Sequence, residues 1–315
     1  MMRVGLNVAN FAAPGGPARL GAELTRVARL AEEVGFESFW VWDHFFWDES
    51  PVGPGVTDRE MIEAYTTLGY VAGVTSKIKL GTMVASATYR HPGVLIKQVT
   101  TLDLLSGGRV IFGIGAGWFE EEHRALGICF PSVKERFERL EETLQIALQM
   151  WADGGKYAEA RPFRGKHHQL ERTLNVPQAL QRPHPPILIG GGGEHKTLRL
   201  VAQYADACNL NSRLSPDQLA HKLAVLRGHC ERLGRPYEAI EKTLYAHLHV
   251  TRDGRNGTMS VPQAIAYCRA MAGLGFDTLI LVDATFNIYD PAVLDLWATV
   301  LLPAIHEIPV AGRQP

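Results

Sequence analysis

The chain of 315 residues has only four cysteines, Cys129, Cys208, Cys230 and Cys268, and they lie far apart with no C-x-x-C pair. That spacing excludes a disulfide framework and a structural zinc site, and it suits a reducing cytoplasm. An excess of either charge is also missing, because 32 Lys and Arg balance 33 Asp and Glu for a formal net charge of −1. Without a field to draw polyanions, neither nucleic acid nor an anionic membrane is an expected partner. No window reaches the roughly 18 uninterrupted apolar residues of a membrane span, and the start of the chain lacks the basic and apolar regions of a secretion signal. G-x-S-x-G, H-E-x-x-H and Walker motifs are absent as well, so serine nucleophile chemistry and nucleotide hydrolysis have no support. With no linker, low-complexity tract or internal repeat beyond a βα unit, residues 1–315 read as a single domain large enough to bury its own core.

What is present is an alternation of short apolar runs with longer segments of helical period. Eight strands are expected, at Arg3–Val8, Ser38–Trp42, Ile78–Val84, Arg109–Ile114, Pro186–Ile189, Ala207–Leu210, Thr243–Val250 and Thr278–Val282. Eight strands each followed by a helix predict an α/β fold of the (β/α)8 TIM-barrel type. The first strand runs into NFAAPGGPARL rather than G-x-G-x-x-G, which argues against a doubly wound sheet. A bare barrel needs roughly 250 residues, so the surplus belongs in insertion loops at the C-terminal face. Two aperiodic stretches fit, Phe45–Arg59 and 154–185, and long loops of this kind more often cover a site than fill space.

Barrel chemistry gathers at the C-terminal ends of the strands. Strand two ends in Asp43 and His44 among Trp40, Trp42, Phe45, Phe46 and Trp47. An imidazole there, its tautomer held by a carboxylate, suits general acid–base work near neutral pH; the plainer alternative is a capping Asp and a packing His. Gly190, Gly191, Gly192 and Gly193 precede Glu194 and a helix, an outline that offers bare N–H groups to a phosphate, or else simply a tight βα turn. Gly113, Gly115 and Gly117 repeat the pattern after strand four, and together the two turns suggest a flat or phosphorylated cofactor against the backbone. His247 and His249 form an H-x-H that would share one face of strand seven. With Asp283 they would make a metal-dependent barrel hydrolase, but strand one carries no histidine, and no metal ligand set is expected. His167 and His168, in the long loop, read as solvated or substrate-facing.

The segments VWDHFF, KLGTMVASATYRHPGVLIKQVTTLDLLSGGRVIFGIGAGWFEEEHRALG and RPHPPILIGGGGEHKTLRLVAQYADACN, in this order and spacing, resemble the bacterial luciferase-like flavin and deazaflavin oxidoreductases over nearly the whole chain. Within that superfamily the strand-four and strand-five segments look most like the branch using coenzyme F420. The resemblance implies a barrel, often a homodimer, that binds F420, or FMN in the oxygen-using relatives, and transfers a hydride to or from a small organic substrate. It implies that Asp43 and His44 lie by the reactive ring face, with His44 handling a proton. Met83 and Val84 match a pair joined by a non-prolyl cis peptide behind the ring, and Ser86 matches a hydroxyl near it. Gly115, Ala116 and Gly117 match backbone contacts of strand four, and Gly190 to Gly193 match the phosphate contacts. Trp118 stands where sugar-phosphate dehydrogenases of the branch carry a Glu. Glu120, Glu121 and Glu122 follow out of register with it, so the resemblance names no acid–base partner for His44 and no phosphorylated sugar as substrate. A non-catalytic cofactor carrier is the remaining alternative, disfavoured by the Asp-His pair.

Overall fold

A computed structural model of the chain describes residues 1–47, 60–152, 156–255, 257–282 and 287–313. Among the described residues eight parallel strands form the barrel wall: β1 (Arg3–Val8), β2 (Ser38–Val41), β3 (Lys79–Thr82), β4 (Val110–Gly115), β5 (Ile187–Gly190), β6 (Ala207–Asn211), β7 (Glu241–Ala246) and β8 (Thr278–Val282). Each pairs with the next in chain order, and β8 pairs back onto β1 from Arg3↔Thr278 to Asn7↔Val282, so the sheet closes into the expected (β/α)8 barrel. Helices α1 (Leu20–Val34), α2 (Ala64–Val74), α3 (Pro92–Leu105), α4 (Glu120–Ala125), α5 (Val133–Ala152), α6 (Thr197–Tyr204), α7 (Pro216–Leu233) and α8 (Val261–Leu274) surround it. Among the described residues no helix is long and apolar enough to cross a membrane.

The local signals account for these elements. Helix α1 buries Leu24, Val27, Ala28 and Ala31, a stripe of helical period, and stops at Gly35 in the left-handed region, φ 96°. Helix α7 opens with a reciprocal Ser215–Gln218 capping box and a proline, and stops at Gly234. Strand alternation divides the apolar residues between two cores. Val4, Leu6, Phe39, Leu80 and Phe112 pack outward under the helices. Trp40, Leu188, Tyr245, Ile280 and Val282 fill the barrel, with Trp42, Met83, Val84 and Ile111 against them. Trp40 fits because its neighbour across the sheet is Gly81, where a Cβ would lie 2.3 Å from the indole Cζ3.

Three strands end earlier than expected, β2 by a single residue at Val41. Strand β7 stops at Ala246 rather than Val250, so His247 and His249 lie beyond it, the first half-buried and the second exposed, and they do not share a strand face. Burial pushes the His247 imidazole down to about 4, aided by the nearby Arg213 charge. Among the described residues no group of three or more His, Cys, Asp or Glu is placed to hold a metal, and Asp283 lies outside them. Strand β3 stops at Thr82; the Met83–Val84 peptide is cis, and Ala85–Ser86 resume pairing with Ile114 and Gly115.

The long excursion ahead of β5 packs along the outer helices α3 and α5. The Glu142 carboxylate accepts backbone N–H bonds from Lys166, His167 and His168, and Asp103 accepts from the N–H of Leu180 and of Gln181. Asn175 Nδ2 donates to Thr100 Oγ1 at 3.0 Å. The two histidines of this strap are neither free in solvent nor turned to the barrel mouth: His167 Nε2 lies 2.7 Å from Glu138 Oε2, and His168 is buried. Of the other excursion, Phe45 to Trp47 are described and 48–59 lie outside the described residues.

Candidate active site

His44 follows β2 directly, and its ring is ordered by a residue of α4. Nδ1 lies 2.9 Å from Oε2 of Glu122. Glu122 is fully buried and also accepts from the Tyr89 hydroxyl and from the backbone N–H of Phe45 and Phe46. Burial favours the neutral acid, but the bonds from His44, Tyr89 and Phe45 outweigh it and hold Glu122 below the usual carboxylate range. An ionised carboxylate only accepts, so Nδ1 carries the hydrogen and Nε2 is left as the proton-exchanging atom. Burial, reinforced by Glu122, keeps the Tyr89 phenol protonated. Around the His44 ring stand Trp42, Trp47, Trp118 and Phe119, with centroids 5.1–5.9 Å away.

Asp43 does not touch the ring-orienting network that the Asp-His dipeptide suggested. Its side chain points to Arg90, which binds both oxygens, Nη1 to Oδ2 at 2.6 Å and Nη2 to Oδ1 at 2.8 Å. The Ser86 N–H donates to Oδ2 at 3.2 Å, so Asp43 ties the end of β2 to the segment after β3. Arg90 also donates to Glu63 and lies 5.1 Å from the Tyr65 ring. Burial alone would lower the guanidinium pKa, but Asp43 more than compensates and holds it charged.

Ser86 heads a second buried chain. Its Oγ lies 2.7 Å from Thr88 Oγ1, which lies 2.7 Å from His123 Nε2, while His123 Nδ1 meets the Phe119 carbonyl at 2.6 Å. A carbonyl only accepts, so Nδ1 carries the hydrogen; burial lowers the His123 pKa, leaving Nε2 to accept from Thr88. Thr88 therefore accepts from Ser86, and the Ser86 proton is turned inward.

Several glycines prove to be packing requirements of the cis segment. A Cβ at Gly113 would stand 1.9 Å from the Thr82 carbonyl oxygen, and at Gly115 or Gly190 it would press on Val84 at 2.9–3.0 Å. At Gly117, φ 79°, it would meet Ser86 Oγ at 2.4 Å. Ala116 is half-buried and packs on the outer core. Gly191 has φ 117°, and a Cβ at Gly193 would press on Thr197. Gly192 differs: its Cβ would meet only Leu210 Cδ2 at 3.6 Å and Lys222 Cε at 3.9 Å, ordinary contacts. The neighbouring Glu194 is held by Lys222 Nζ at 2.5 Å.

Over residues 2–255 the sequence that builds this barrel matches the family of luciferase-like monooxygenases. The chain belongs to the luciferase-like monooxygenase family. It is similar to an F420-dependent glucose-6-phosphate dehydrogenase of Kineococcus radiotolerans, 31% identical over 236 residues, 73% of this chain and 65% of the relative. The chain thus spans less than two thirds of that relative's length. Among solved structures it is similar to the monooxygenase RslO1 of Streptomyces bottropensis, TM-score 0.78 at 21% identity, over 96% of this chain and 99% of that one. It is also similar to the coenzyme F420-dependent tetrahydromethanopterin reductase of Methanopyrus kandleri, TM-score 0.77 at 16% identity, with the same coverage.

Within this luciferase-like barrel, sequence reasoning missed Arg90, Tyr89 and His123, and it set Glu122 aside as out of register although Glu122 is the partner of His44. One signal was available for Glu122. Phe119, Glu122 and His123 fall at i, i+3 and i+4, and all three are buried, whereas Glu120 and Glu121 are exposed. A carboxylate on the buried face of a short helix needs a partner, and His44 supplies one.

Proposed function

We propose that this luciferase-like protein is an F420-dependent oxidoreductase that transfers a hydride between the deazaflavin and a small organic substrate. The observation that carries the reading is the His44–Glu122 pair at the strand ends: a buried, ionised acceptor commits Nδ1 and presents Nε2 for proton exchange. Relatives named as F420-dependent dehydrogenases support the choice of coenzyme. When bound, the coenzyme supplies hydride chemistry, and the protein's part is orientation, exclusion of water and the proton.

The residues present fit such a group. The backbone at Gly192 is open where a Cβ would make no clash, as a phosphate cradle requires, and Trp47 Nε1 is a buried donor with no partner among the described residues. In this reading Gly190, Gly191, Gly192 and Gly193 would hold the phosphate, Met83 and Val84 would back the ring, and Ser86, Gly115, Ala116 and Gly117 would line it. Asp43 and Arg90 keep the β2 and β3 ends together, and His44 gives or takes the substrate proton. The same reading makes the protein a cytoplasmic homodimer, the oligomer being checked by light scattering.

The deciding experiment is an absorbance spectrum of the purified protein after incubation with F420 or with FMN and gel filtration. Retention of F420 in preference to FMN is expected. Retention of FMN alone would make the protein an oxygen-using monooxygenase instead.

A further inference from the structure

The hydroxyl chain that starts at Ser86 runs from the barrel into α4, and the hydride and proton chemistry leaves it unused. Ala85 and Ala87 pack in the outer core, so the alternation of an extended segment turns Ser86 to the inner side of the barrel. From Ser86 Oγ the chain passes to Thr88 Oγ1 and on to His123 Nε2, each step 2.7 Å, and it ends where His123 Nδ1 donates to the Phe119 carbonyl. Gly117 leaves room for it, since a Cβ there would lie 2.4 Å from Ser86 Oγ and 2.8 Å from Thr88 Oγ1. Each hydroxyl has one hydrogen to give, so the anchor at Phe119 fixes the direction of every bond. Nδ1 commits the imidazole hydrogen to the carbonyl, Nε2 accepts from Thr88, and Thr88 accepts from Ser86. The Thr88 N–H also donates to Ser86 Oγ, at 3.4 Å. Ser86 Oγ therefore offers the barrel a lone pair and no hydrogen.

We propose that Thr88 and His123 are positioning residues that make the Ser86 hydroxyl an acceptor for an N–H of the bound coenzyme ring. The inference rests on the function proposed above, in which Ser86 lines that ring. The pyrimidine edge of a flavin or a deazaflavin carries an N–H between two carbonyl oxygens. An oxygen that only accepts bonds the N–H and repels either carbonyl, so the buried chain selects how that edge is seated without touching it. Protonation of His123 reverses the chain: both ring nitrogens then donate, Thr88 accepts from Nε2 and turns its own hydrogen to Ser86, and the Ser86 hydrogen is released toward the coenzyme. The groups facing His123 are Glu120 and Glu122 on its own helix, the Tyr89 ring at 4.7 Å, the Phe130 ring at 4.8 Å, and Arg136 of α5, whose guanidinium lies over Phe130. Burial, aided by Arg136, outweighs the Phe119 carbonyl and the two carboxylates and holds the imidazole below its ordinary value of 6.5.

Calorimetric titration of F420 into the native protein, Thr88→Val, Thr88→Ser, Ser86→Ala and the double variant Thr88→Val, Ser86→Ala tests the proposal. Thr88→Val frees the Ser86 hydrogen and is expected to weaken binding about three- to tenfold, the worth of one hydrogen bond. Thr88→Ser keeps the chain and should restore native affinity, and Thr88→Val should have no further effect once residue 86 is alanine. A loss that Thr88→Ser does not restore, or that persists in the Ser86→Ala background, would overturn the proposal by making Thr88 a packing residue. As pH falls below 6.5, native binding should weaken by a component that Ser86→Ala lacks, although that variant keeps His44 and Glu122; equal pH profiles overturn it too. Nitrogen NMR of the histidine side chains in the unloaded protein should place the His123 hydrogen on Nδ1, and a hydrogen on Nε2 would reverse the chain and remove the proposal. The same spectra and the unfolding temperature check that each variant folds. If FMN is retained and F420 is not, the coenzyme reading fails alone, and the titrations are made with FMN, whose ring has the same N–H edge. Retention of neither overturns the proposal as well, because no ring is then present for Ser86 to accept from.

Discussion

His44 and Glu122, 78 residues apart in the chain, are joined by a 2.9 Å bond from the ring Nδ1 to a fully buried carboxylate. The bond settles the imidazole tautomer and its orientation together, and it makes the proton chemistry of one residue depend on the charge of another. General acid–base catalysis by a positioned side chain is worth roughly 10²–10⁴-fold. His44→Ala is therefore expected to keep coenzyme affinity within a few-fold and to lose turnover on that scale. Normal turnover by the variant would reduce His44 to a packing residue.

Glu122 also links stability to pH. Its folded-state pKa lies below the ordinary value of 4.5, so its stabilising contribution is present above that value and is lost as pH falls through the folded pKa. The difference in unfolding temperature between the native protein and Glu122→Gln should be largest near neutrality and shrink as pH falls below the ordinary carboxylate value of 4.5. A difference that does not change with pH would mean the buried carboxyl is already protonated in the fold.

Arg90 and Asp43 form a two-point ion pair in which the Asp43 side chain is 1% exposed. Removing one partner of a buried pair leaves an uncompensated charge, at a cost of about 3–5 kcal/mol. Urea unfolding of Arg90→Met should show a loss of this size, and the double variant Arg90→Met, Asp43→Asn should recover much of it. Equal losses in both would show that packing of the guanidinium on Tyr65 and Phe45, not charge, is what Arg90 contributes.

Two glycines separate packing from binding. Gly81→Ala sets a methyl against the Trp40 indole and should cost about 1–3 kcal/mol by overpacking, read from the urea midpoint. Gly192→Val places its Cβ in ordinary contact only, so the unfolding temperature should hardly move while coenzyme binding falls by about tenfold or more. Undiminished binding by Gly192→Val would place the phosphate elsewhere.

The barrel was legible in the sequence because its determinants are local. Apolar runs, helical stripes and glycine stops report what each short segment does on its own, and eight apolar runs alternating with helical stripes leave few ways to close a sheet. Residues at strand ends, such as His44 and Gly192, could be placed for the same reason. What the local pattern could not decide was which side chains meet across the mouth. Asp43 stands beside His44 in the chain, yet consecutive residues leave an extended backbone in opposite directions, so it turns to Arg90 while Glu122 reaches the ring from α4. Nor could it say why Gly113, Gly115 and Gly190 are glycine, since that follows from the Thr82 carbonyl and the Val84 side chain pressing on neighbouring strands. Periodicity along the chain sets the scaffold; partners of buried charges and the space left for each Cβ depend on distances between strands and helices, which exist only once the barrel has closed.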